Sequence, residues 1–301
     1  MQPVANSSFN VEADQLKTYI KEMNGRKPMA HIRSLPSLDK LIGGVVPGIL
    51  TIVGAAPAAG KTTLLKVISD DLASQGVPTV FYSAELPAYR IAQKGITRLG
   101  NGDFSLSEAT GAVPEKRKAF ERACATYAET VAPNSCIMDG QTSMEDLCRC
   151  IGDCIHVRGQ HPALFVDYLQ LIEPVGRNKN DSMSTAVGEI SRALKVLAKD
   201  LKVPVIALSQ LNREVDKRPD KRPVLADLRE SGAIEQDADT VMFLDRSLSE
   251  EEAADERHER PPLGTANVIV AKNRAGRSGV TVPLAFIADR TAFRNLALHE
   301  G

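Results

Sequence analysis

The amino-acid sequence predicts an α/β domain with a mainly parallel central sheet, helices on both faces and added strands at the C-terminal end. From about residue 37, short apolar runs such as ILTIVGA, TVFYSAE and ALFVDYLQLI alternate with longer segments of helical periodicity. This alternation is typical of a parallel sheet covered by helices. Near the C-terminus, TVMFLDR, NVIVAKNR and VTVPLAFI follow one another without an intervening helix, so we expect added strands, some of them antiparallel.

The N-terminal region is expected to lie apart from this core. Residues 11–24 carry apolar side chains at helical spacing, and Gly25 follows where a helix would stop. The next stretch is basic and contains proline, which favours an extended connector. We therefore expect a tail, a short linker helix and a connector over residues 1–36, and one large domain over residues 37–301.

Composition indicates a globular chain with a sizeable core. Of its 301 residues, 43% are hydrophobic and 25% are charged. The net charge of -1 gives no overall attraction to nucleic acid, so a DNA site would have to be a local basic surface. No apolar run approaches the roughly 18 residues that span a bilayer, and the N-terminus lacks signal-peptide features. We expect a cytoplasmic protein with no membrane partner.

The cysteines favour reduced thiols. Their number, five, is odd, and the chain carries no secretion signal. Cys148, Cys150, Cys154 and His156 suggest zinc at first sight. However, their segment has a helical pattern and lacks paired CxxC spacing, so we expect helix cysteines and no metal there.

The residues after the apolar run LTIV have the order of a phosphate-binding loop. A strand, a turn of small residues and a helical pattern follow one another, with the sequence GKTT at the turn into the helix. In such a loop, backbone N–H groups surround the phosphates, Lys61 reaches the β and γ phosphates, and Thr62 can ligate Mg²⁺. The strict motif has glycine where this chain has Ala55, and the alternative is a small-residue turn without a nucleotide. The expected ATP-contacting residues are Gly54, Ala55, Ala56, Pro57, Ala58, Ala59, Gly60, Lys61, Thr62 and Thr63.

Three further polar side chains end predicted strands. Asp167 follows an apolar run and is expected to hold Mg²⁺ at the carboxyl end of the sheet. Glu85 ends another strand and could act as general base on the attacking water, and Gln210 could sense the γ-phosphate. The alternatives are a turn or capping aspartate, a surface glutamate and a capping glutamine.

Several strings together resemble the DnaB-type replicative helicases, in particular their C-terminal RecA-like motor domain. The match covers about residues 11–298. AAPAAGKTT resembles the family's ARPSMGKT, SAELP its SLEMP, VDYLQLI its IDYLQLM, and VIVAKNRAGRSG its IIAKQRNGPTG. The segments EISRALKVLAKDLKVPVIALSQLNREV and DLRESGAIEQDAD also match, the second being the most specific. Recombinases of the RecA type share the fold but not this set of strings.

The resemblance implies a RecA-like P-loop ATPase that works as a ring, most often a hexamer. Lys61 and Thr62 would bind phosphate and Mg²⁺, Asp167 would support Mg²⁺, Glu85 would activate water and Gln210 would sense the γ-phosphate. Lys272 and Arg274 would act on the nucleotide of the neighbouring subunit, so that hydrolysis depends on ring geometry. Without the resemblance, these two residues would be interpreted as a basic surface pair.

The resemblance also implies contact with single-stranded DNA. It places residues 229–232 in a central channel, where phosphates are bound without recognition of base sequence. A loop containing Arg177 and Lys179 is a second candidate. The charged segment 247–264 is expected to be a solvated excursion without chemistry. The proposed DNA-contacting residues are Arg213, Arg229, Glu230, Ser231 and Gly232.

Two departures from the family limit what carries over. The family's arginine inside the phosphate loop is Ala56 here, so a contact from that side chain is not expected. Only about ten residues precede the predicted linker helix, so we expect neither the family's N-terminal collar nor its primase contact. The linker helix itself is expected to dock on the adjacent motor domain, and a helicase loader or initiator is a further candidate partner.

The favoured function is therefore an ATP-dependent translocase and helicase on single-stranded DNA, with 5′ to 3′ polarity, acting in DNA replication. One rival is a recombinase or circadian-clock-type ATPase of the same fold. The other is a non-translocating ATP-binding assembly factor of a plasmid, phage or mobile element.

Overall fold

The fold is a single large sheet with helices packed on both faces. The computed structural model describes residues 27–108, 114–173, 183–212, 215, 218, 220–228, 231–246 and 264–296. Its helices are α1 Pro36–Ile42, α2 Lys61–Ser74, α3 Ala88–Leu99, α4 Pro114–Thr130, α5 Met144–Arg158, α6 Met183–Asp200 and α7 Ser231–Asp237. Its strands are β1 Leu50–Ala55, β2 Thr79–Ser83, β3 Ser135–Asp139, β4 Ala163–Asp167, β5 Val205–Gln210, β6 Thr240–Asp245, β7 Thr265–Asn273, β8 Val280–Ile287 and β9 Ala292–Asn295.

The sheet has nine strands in the order β3-β2-β4-β5-β1-β6-β7-β8-β9. The first six strands in this order, β3 through β6, pair in parallel. The last three, β7, β8 and β9, are added antiparallel strands at one side. The predicted mainly parallel sheet with added C-terminal strands is therefore confirmed. The short strand β9 and the helix α1 had no sequence pattern that predicted them.

Alternating side chains of the parallel strands enter two separate apolar clusters, as expected for strands buried on both faces. On one face, Val53, Phe81 and Phe165 pack with residues of α2 and α3. On the other face, Ile52 and Tyr82 pack with residues of α5, α6 and α7. This two-sided burial fixes the strand register, since a shift by one residue would exchange the two faces.

The predicted connector contributes to the core. Ile32 and Leu35 are buried in the same cluster as α2, and Ala30 forms a bridge with Val45. The predicted linker helix at residues 11–24 lies outside the described residues, as does most of the 247–264 excursion. Among the residues that the structure describes, no helix is long and apolar enough to cross a membrane.

A buried ionic network joins α2 to α3 and α4. The side chain of Lys66 is fully buried and forms an ion pair with Asp70, one turn further along α2. Arg98 of α3 contacts the second Asp70 oxygen at 2.5 Å, and the Tyr127 hydroxyl of α4 accepts a hydrogen bond from Lys66 Nζ at 3.0 Å. Because buried charges are tolerated only when paired, this network fixes the two outer helices on α2.

Gly95 lets α3 approach this network closely. A Cβ added at this position would meet the Asp70 carboxylate and would lie 2.6 Å from Cε2 of Tyr127. We predict that Gly95→Ala lowers the free energy of unfolding by about 1–3 kcal/mol, because the neighbours must shift away from good geometry.

Gly152 in α5 is the matched control, since a Cβ there would meet nothing within 4 Å. Gly152→Ala should leave the free energy of unfolding unchanged or raise it by about 0.5–1 kcal/mol through helix propensity. Urea unfolding followed by circular dichroism measures both variants. Equal effects in the two variants would contradict the close packing at Gly95.

Candidate functional site

The predicted nucleotide residues lie together at the carboxyl edge of the parallel strands. The phosphate loop follows β1 and continues into α2, which begins at Lys61. In the sheet register Gln210 pairs with Ala55 at the ends of β5 and β1, and Asp167 pairs with Ser83 at the ends of β4 and β2. Ligands of such sheets bind outside the carboxyl ends of the strands, so this edge is the candidate site.

The conformation of the phosphate loop depends on small residues. Gly60 has a φ of 97° and is the residue that caps α2, a backbone conformation that favours glycine. A Cβ at Gly60 would also lie 3.1 Å from the ring of Phe286. Ala58 likewise has a positive φ, of 62°. The loop therefore turns back sharply into the first turn of α2, whose free N–H groups favour an anion.

Gly54 and Ala55 are still part of β1, and both are buried. A Cβ on Gly54 would lie 2.8 Å from the ring of Phe243 on the neighbouring strand β6. This packing accounts for a glycine at the position that precedes the strict motif. Ala56, which replaces the family's arginine, is half-buried, and the exposed part of the predicted loop begins with Pro57.

Asp167 is the most unusual group at this edge. Its side chain is 0% exposed, and neither carboxylate oxygen has a well-formed hydrogen bond to any described residue. Burial raises the pKa of Asp167, and nearby Glu85 raises it further, whereas the Thr62 hydroxyl, the Lys61 ammonium and Lys94 lower it. A buried carboxylate without a well-formed hydrogen bond is costly, so Asp167 is a candidate ligand for a cation.

Lys61 lies deep in the site. It is only 9% exposed, and its Nζ lies 5.1 Å from the centre of the Tyr168 ring, in the residue that follows Asp167. The influence of Lys61 on the pKa of Asp167 places the ammonium and the carboxylate in one electrostatic environment. Cation and carboxylate thus lie close enough to interact across the space between the phosphate loop and the end of β4.

Glu85 and Gln210 approach the same space from neighbouring strands. Glu85 is exposed, two residues beyond the end of β2, where Ala84 N–H donates to the Asp167 carbonyl oxygen at 2.9 Å. Gln210 is half-buried and is the last residue of β5, as predicted. An exposed carboxylate near a buried one is able to accept a proton from water.

Lys94 is a site residue that the sequence patterns did not single out. It lies on α3, and burial lowers its pKa while the Asp167 carboxylate opposes that shift. Ile91 and Thr97, three residues before and after it on the helix, are buried. A lysine on the face that a helix turns towards the core is the signal that would have identified it.

Lys272 and Arg274 lie at the opposite edge of the sheet, where the parallel strands β1 and β6 begin. Lys272 pairs in register with Val241 near the start of β6, and Arg274 N–H donates to the Asp239 carbonyl oxygen at 3.0 Å. β1 has 6 residues, so about 20 Å separates the two edges at roughly 3.3 Å per residue. An arginine side chain is much shorter than this distance, so Arg274 does not reach the phosphate loop of its own subunit.

The predicted DNA-contacting residues lie largely outside the described residues. Arg213, Arg229 and Glu230 belong to that group, as do Arg177 and Lys179 of the second candidate loop. Ser231 is the first residue of α7, and Gly232 follows it as an exposed position.

The predicted helix cysteines Cys148, Cys150 and Cys154 all lie on α5. Within the described part of the chain, no group of three or more potential ligands among His, Cys, Asp and Glu is arranged to hold a metal ion.

Comparison with known proteins places these features in one family. Residues 33–295 match the family described as DnaB-like helicase C terminal domain. The replicative DNA helicase DnaB of Pasteurella multocida is 37% identical over 267 residues, which are 87% of this chain and 54% of that protein. The replicative DNA helicase DnaC of Bacillus subtilis is 35% identical over 296 residues, which are 95% of this chain and 62% of that protein. The chain thus spans somewhat more than half the length of these relatives.

Solved structures agree with this assignment. A structure described as an ATPase domain superposes with a TM-score of 0.80 at 29% identity, covering 97% of this chain and 100% of that one. A DnaB-like replicative helicase, studied for its interactions with primase, superposes with a TM-score of 0.79 at 28% identity, covering 99% of this chain and 68% of that one. The resemblance predicted from the sequence strings is confirmed, and the chain belongs to the DnaB-like helicase C-terminal domain family.

Proposed function

We propose that this chain is the ATP-hydrolysing motor of a ring-shaped helicase that translocates on single-stranded DNA, with 5′ to 3′ polarity, in DNA replication. The observation that carries the proposal is the carboxyl edge of the sheet. There a phosphate loop, a buried unpartnered carboxylate, an exposed carboxylate and an amide converge from four strands. The family match and the replicative relatives support the choice of a helicase over a recombinase of the same fold.

Mg²⁺ with ATP fits the residues present. Asp167 supplies two buried oxygens without a well-formed hydrogen bond, and the Thr62 hydroxyl lies beside it at the start of α2. Carboxylate and hydroxyl oxygens are hard donors, which Mg²⁺ prefers. When bound, the ion would neutralise charge on the β and γ phosphates.

The remaining roles in binding and hydrolysis belong to side chains and backbone groups of the protein itself. Lys61 offsets phosphate charge from the buried side of the loop, and the N–H groups at the start of α2 surround the phosphate oxygens. Glu85, exposed and close to Asp167, accepts a proton from the attacking water. Gln210 contacts the γ-phosphate from the end of β5. Lys94 adds positive charge near Asp167 and opposes the rise in the pKa of that carboxyl.

Lys272 and Arg274 complete the active site of the neighbouring subunit. Their place at the far edge of the sheet supports this assignment, since neither reaches its own phosphate loop. A guanidinium stabilises the charge of the transition state only when the neighbour is docked, so hydrolysis becomes dependent on ring contacts. A ring of such contacts, most often a hexamer in this family, would carry Arg213 and residues 229–232 towards DNA in its channel.

An ATP-binding assembly factor that does not translocate is the alternative from a different functional class. It would keep the nucleotide site, but its rate of ATP hydrolysis would not rise with DNA. Stimulation of hydrolysis by single-stranded DNA therefore separates the two functions.

We predict that single-stranded DNA raises the ATPase rate of the unmodified chain, and that Lys61→Ala lowers the rate by roughly 100-fold or more, since its charge is lost at the phosphates. Lys199→Ala, at an exposed position of α6, is the control and should retain the full rate. Steady-state phosphate release measures all three proteins. Full activity in Lys61→Ala, or no hydrolysis under any DNA condition, would refute the motor assignment.

The second prediction concerns the effect of the Asp167 carboxyl on the stability of the fold in the absence of nucleotide and Mg²⁺. Because its folded-state pKa is raised by burial, the carboxyl destabilises the fold increasingly as pH rises through its unfolded-state pKa of about 4; well below that pH it is neutral in both states. Asp167→Asn lacks this destabilisation and should be more stable than the unmodified chain at about pH 7, with the difference disappearing below about pH 4.

Urea unfolding at a series of pH values in chelator tests this behaviour. Adding Mg²⁺ and ATP should stabilise the unmodified chain and have little effect on Asp167→Asn. A stability difference that is independent of pH would show that the Asp167 carboxylate is not held in an unfavourable environment.

The third prediction concerns rings mixed from Lys61→Ala and Arg274→Ala subunits. Each variant alone should be nearly inactive. In the mixture, some interfaces pair an intact Lys61 with an intact Arg274 from the neighbour, so the ATPase rate should exceed the average of the two variants. Subunit exchange is checked separately by fluorescence energy transfer between labelled subunits. Exchange without any such gain would leave Lys272 and Arg274 as a basic surface pair.

A further inference from the structure

Arg274 is held in a defined position on its own subunit although its side chain is 53% exposed. Its Nη2 donates to the Gln236 carbonyl oxygen at 2.8 Å, and its Nη1 lies 3.4 Å from Oδ1 of Asp239. An exposed arginine ordinarily has much rotamer freedom. Here both terminal nitrogens of the guanidinium donate hydrogen bonds within the subunit, so the side chain is ordered before any neighbouring subunit is present.

Asp239 is itself fixed by the core of the domain. The residue is 7% exposed, and its Oδ2 accepts hydrogen bonds from Leu50 N–H at 2.9 Å and from Lys195 Nζ at 2.5 Å. Lys195 also donates to the Gly48 carbonyl oxygen at 3.2 Å. The first residue of β1 and a lysine of α6 therefore orient the carboxylate independently of Arg274.

Lys272 is docked on the same element as Arg274. Its Nζ donates to the Glu235 carbonyl oxygen at 2.5 Å, one residue before the Gln236 carbonyl that holds Arg274. These carbonyls lie at the C-terminal end of α7, where positive charge is favoured. Asp239 lies two residues beyond the end of α7 and supplies the negative charge that contacts Arg274.

We infer that Asp239 is the positioning residue of Arg274: it orders the guanidinium at the surface from which it enters the neighbouring subunit's nucleotide site. The inference rests on the proposed action of Arg274 in trans. Pre-ordering avoids losing side-chain freedom when the interface closes, and a displaced guanidinium would stabilise the transition state poorly. Asp239 touches neither nucleotide nor water of the reaction and acts only through Arg274.

The hydrogen bond from Leu50 suggests a rival role that the test must separate. Leu50 begins β1, and the phosphate loop follows the other end of that strand. Asp239 could therefore support the phosphate loop of its own subunit. The two roles place the defect of an Asp239 variant on opposite sides of the subunit interface.

Asp239→Asn is the test variant, because it keeps the size of the side chain and removes its charge. Alone, it should lower kcat by roughly 10- to 100-fold with little change in nucleotide affinity. Asp153→Asn, on the exposed side of α5, is the matched control and should be fully active. Thermal melting shows whether Asp239→Asn is folded; if it is not, Asp239→Glu, which keeps the charge, replaces it in every mixture.

Mixed rings then decide which side of the interface is affected. With Lys61→Ala subunits, Asp239→Asn should give an ATPase rate above the average of the two, because intact Lys61 and correctly positioned Arg274 meet at some interfaces. With Arg274→Ala subunits it should give no gain, since both variants lack the same half of the site.

The opposite pattern, a gain with Arg274→Ala and none with Lys61→Ala, would assign Asp239 to its own phosphate loop and overturn the inference. A gain in both mixtures, a gain in neither, or full activity of Asp239→Asn alone would overturn it as well. The reference mixture of Lys61→Ala with Arg274→Ala shows whether the trans arrangement fails or only the positioning role of Asp239. If it exchanges subunits without a gain, the trans arrangement itself fails, whereas a reference gain with the wrong Asp239 pattern refutes only the positioning role.

Discussion

The hydrogen-bonded ladder that holds β1 between β5 and β6 is the constraint from which the remaining geometry follows. Both pairings are parallel, so the carboxyl ends of these strands meet at one edge and bring the phosphate loop beside Gln210. The antiparallel return of β7 along β6 carries Lys272 and Arg274 to the other edge. The two halves of the proposed active site are therefore kept apart by the length of a strand, and no rotamer change within one chain joins them.

Two buried aspartates show how burial distinguishes structure from chemistry. Asp70 is as deeply buried as Asp167, but Lys66 and Arg98 engage its two oxygens, so its charge is satisfied within the fold and fastens α3 to α2. Asp167 has no well-formed hydrogen bond at either oxygen among the described residues. Its ionised form raises the free energy of the folded state, which makes Asp167 the candidate ligand for a cation. The apolar clusters on both faces of the sheet stabilise the domain enough to tolerate this.

The sequence predicted what depends on local pattern, namely the strands, the loop before α2, and the polar residues that end β4 and β5. The spacing of α3 places Lys94 on its core-facing side, but the approach of Lys94 to Asp167 depends on how α3 packs on α2, which a helical pattern does not specify. Asp239 was missed for a similar reason, since its partners Leu50 and Lys195 are distant in sequence and meet only through strand order. The burial of Ile32 in a stretch predicted as an extended connector likewise depends on tertiary contacts.

The separation of Lys61 from Arg274 also restricts how copies of this chain can associate. In a twofold dimer the same surface patch faces itself, so that patch would have to contain both the phosphate loop and Arg274. These groups lie at opposite edges of one sheet, about 20 Å apart, so a twofold contact would have to cover the full length of a strand. A head-to-tail contact instead joins the Arg274 edge of one copy to the phosphate-loop edge of the next. Repetition of that contact gives a ring where the rotation closes and a helical filament where it does not. The proposed action of Arg274 in trans therefore itself favours the ring expected for this family.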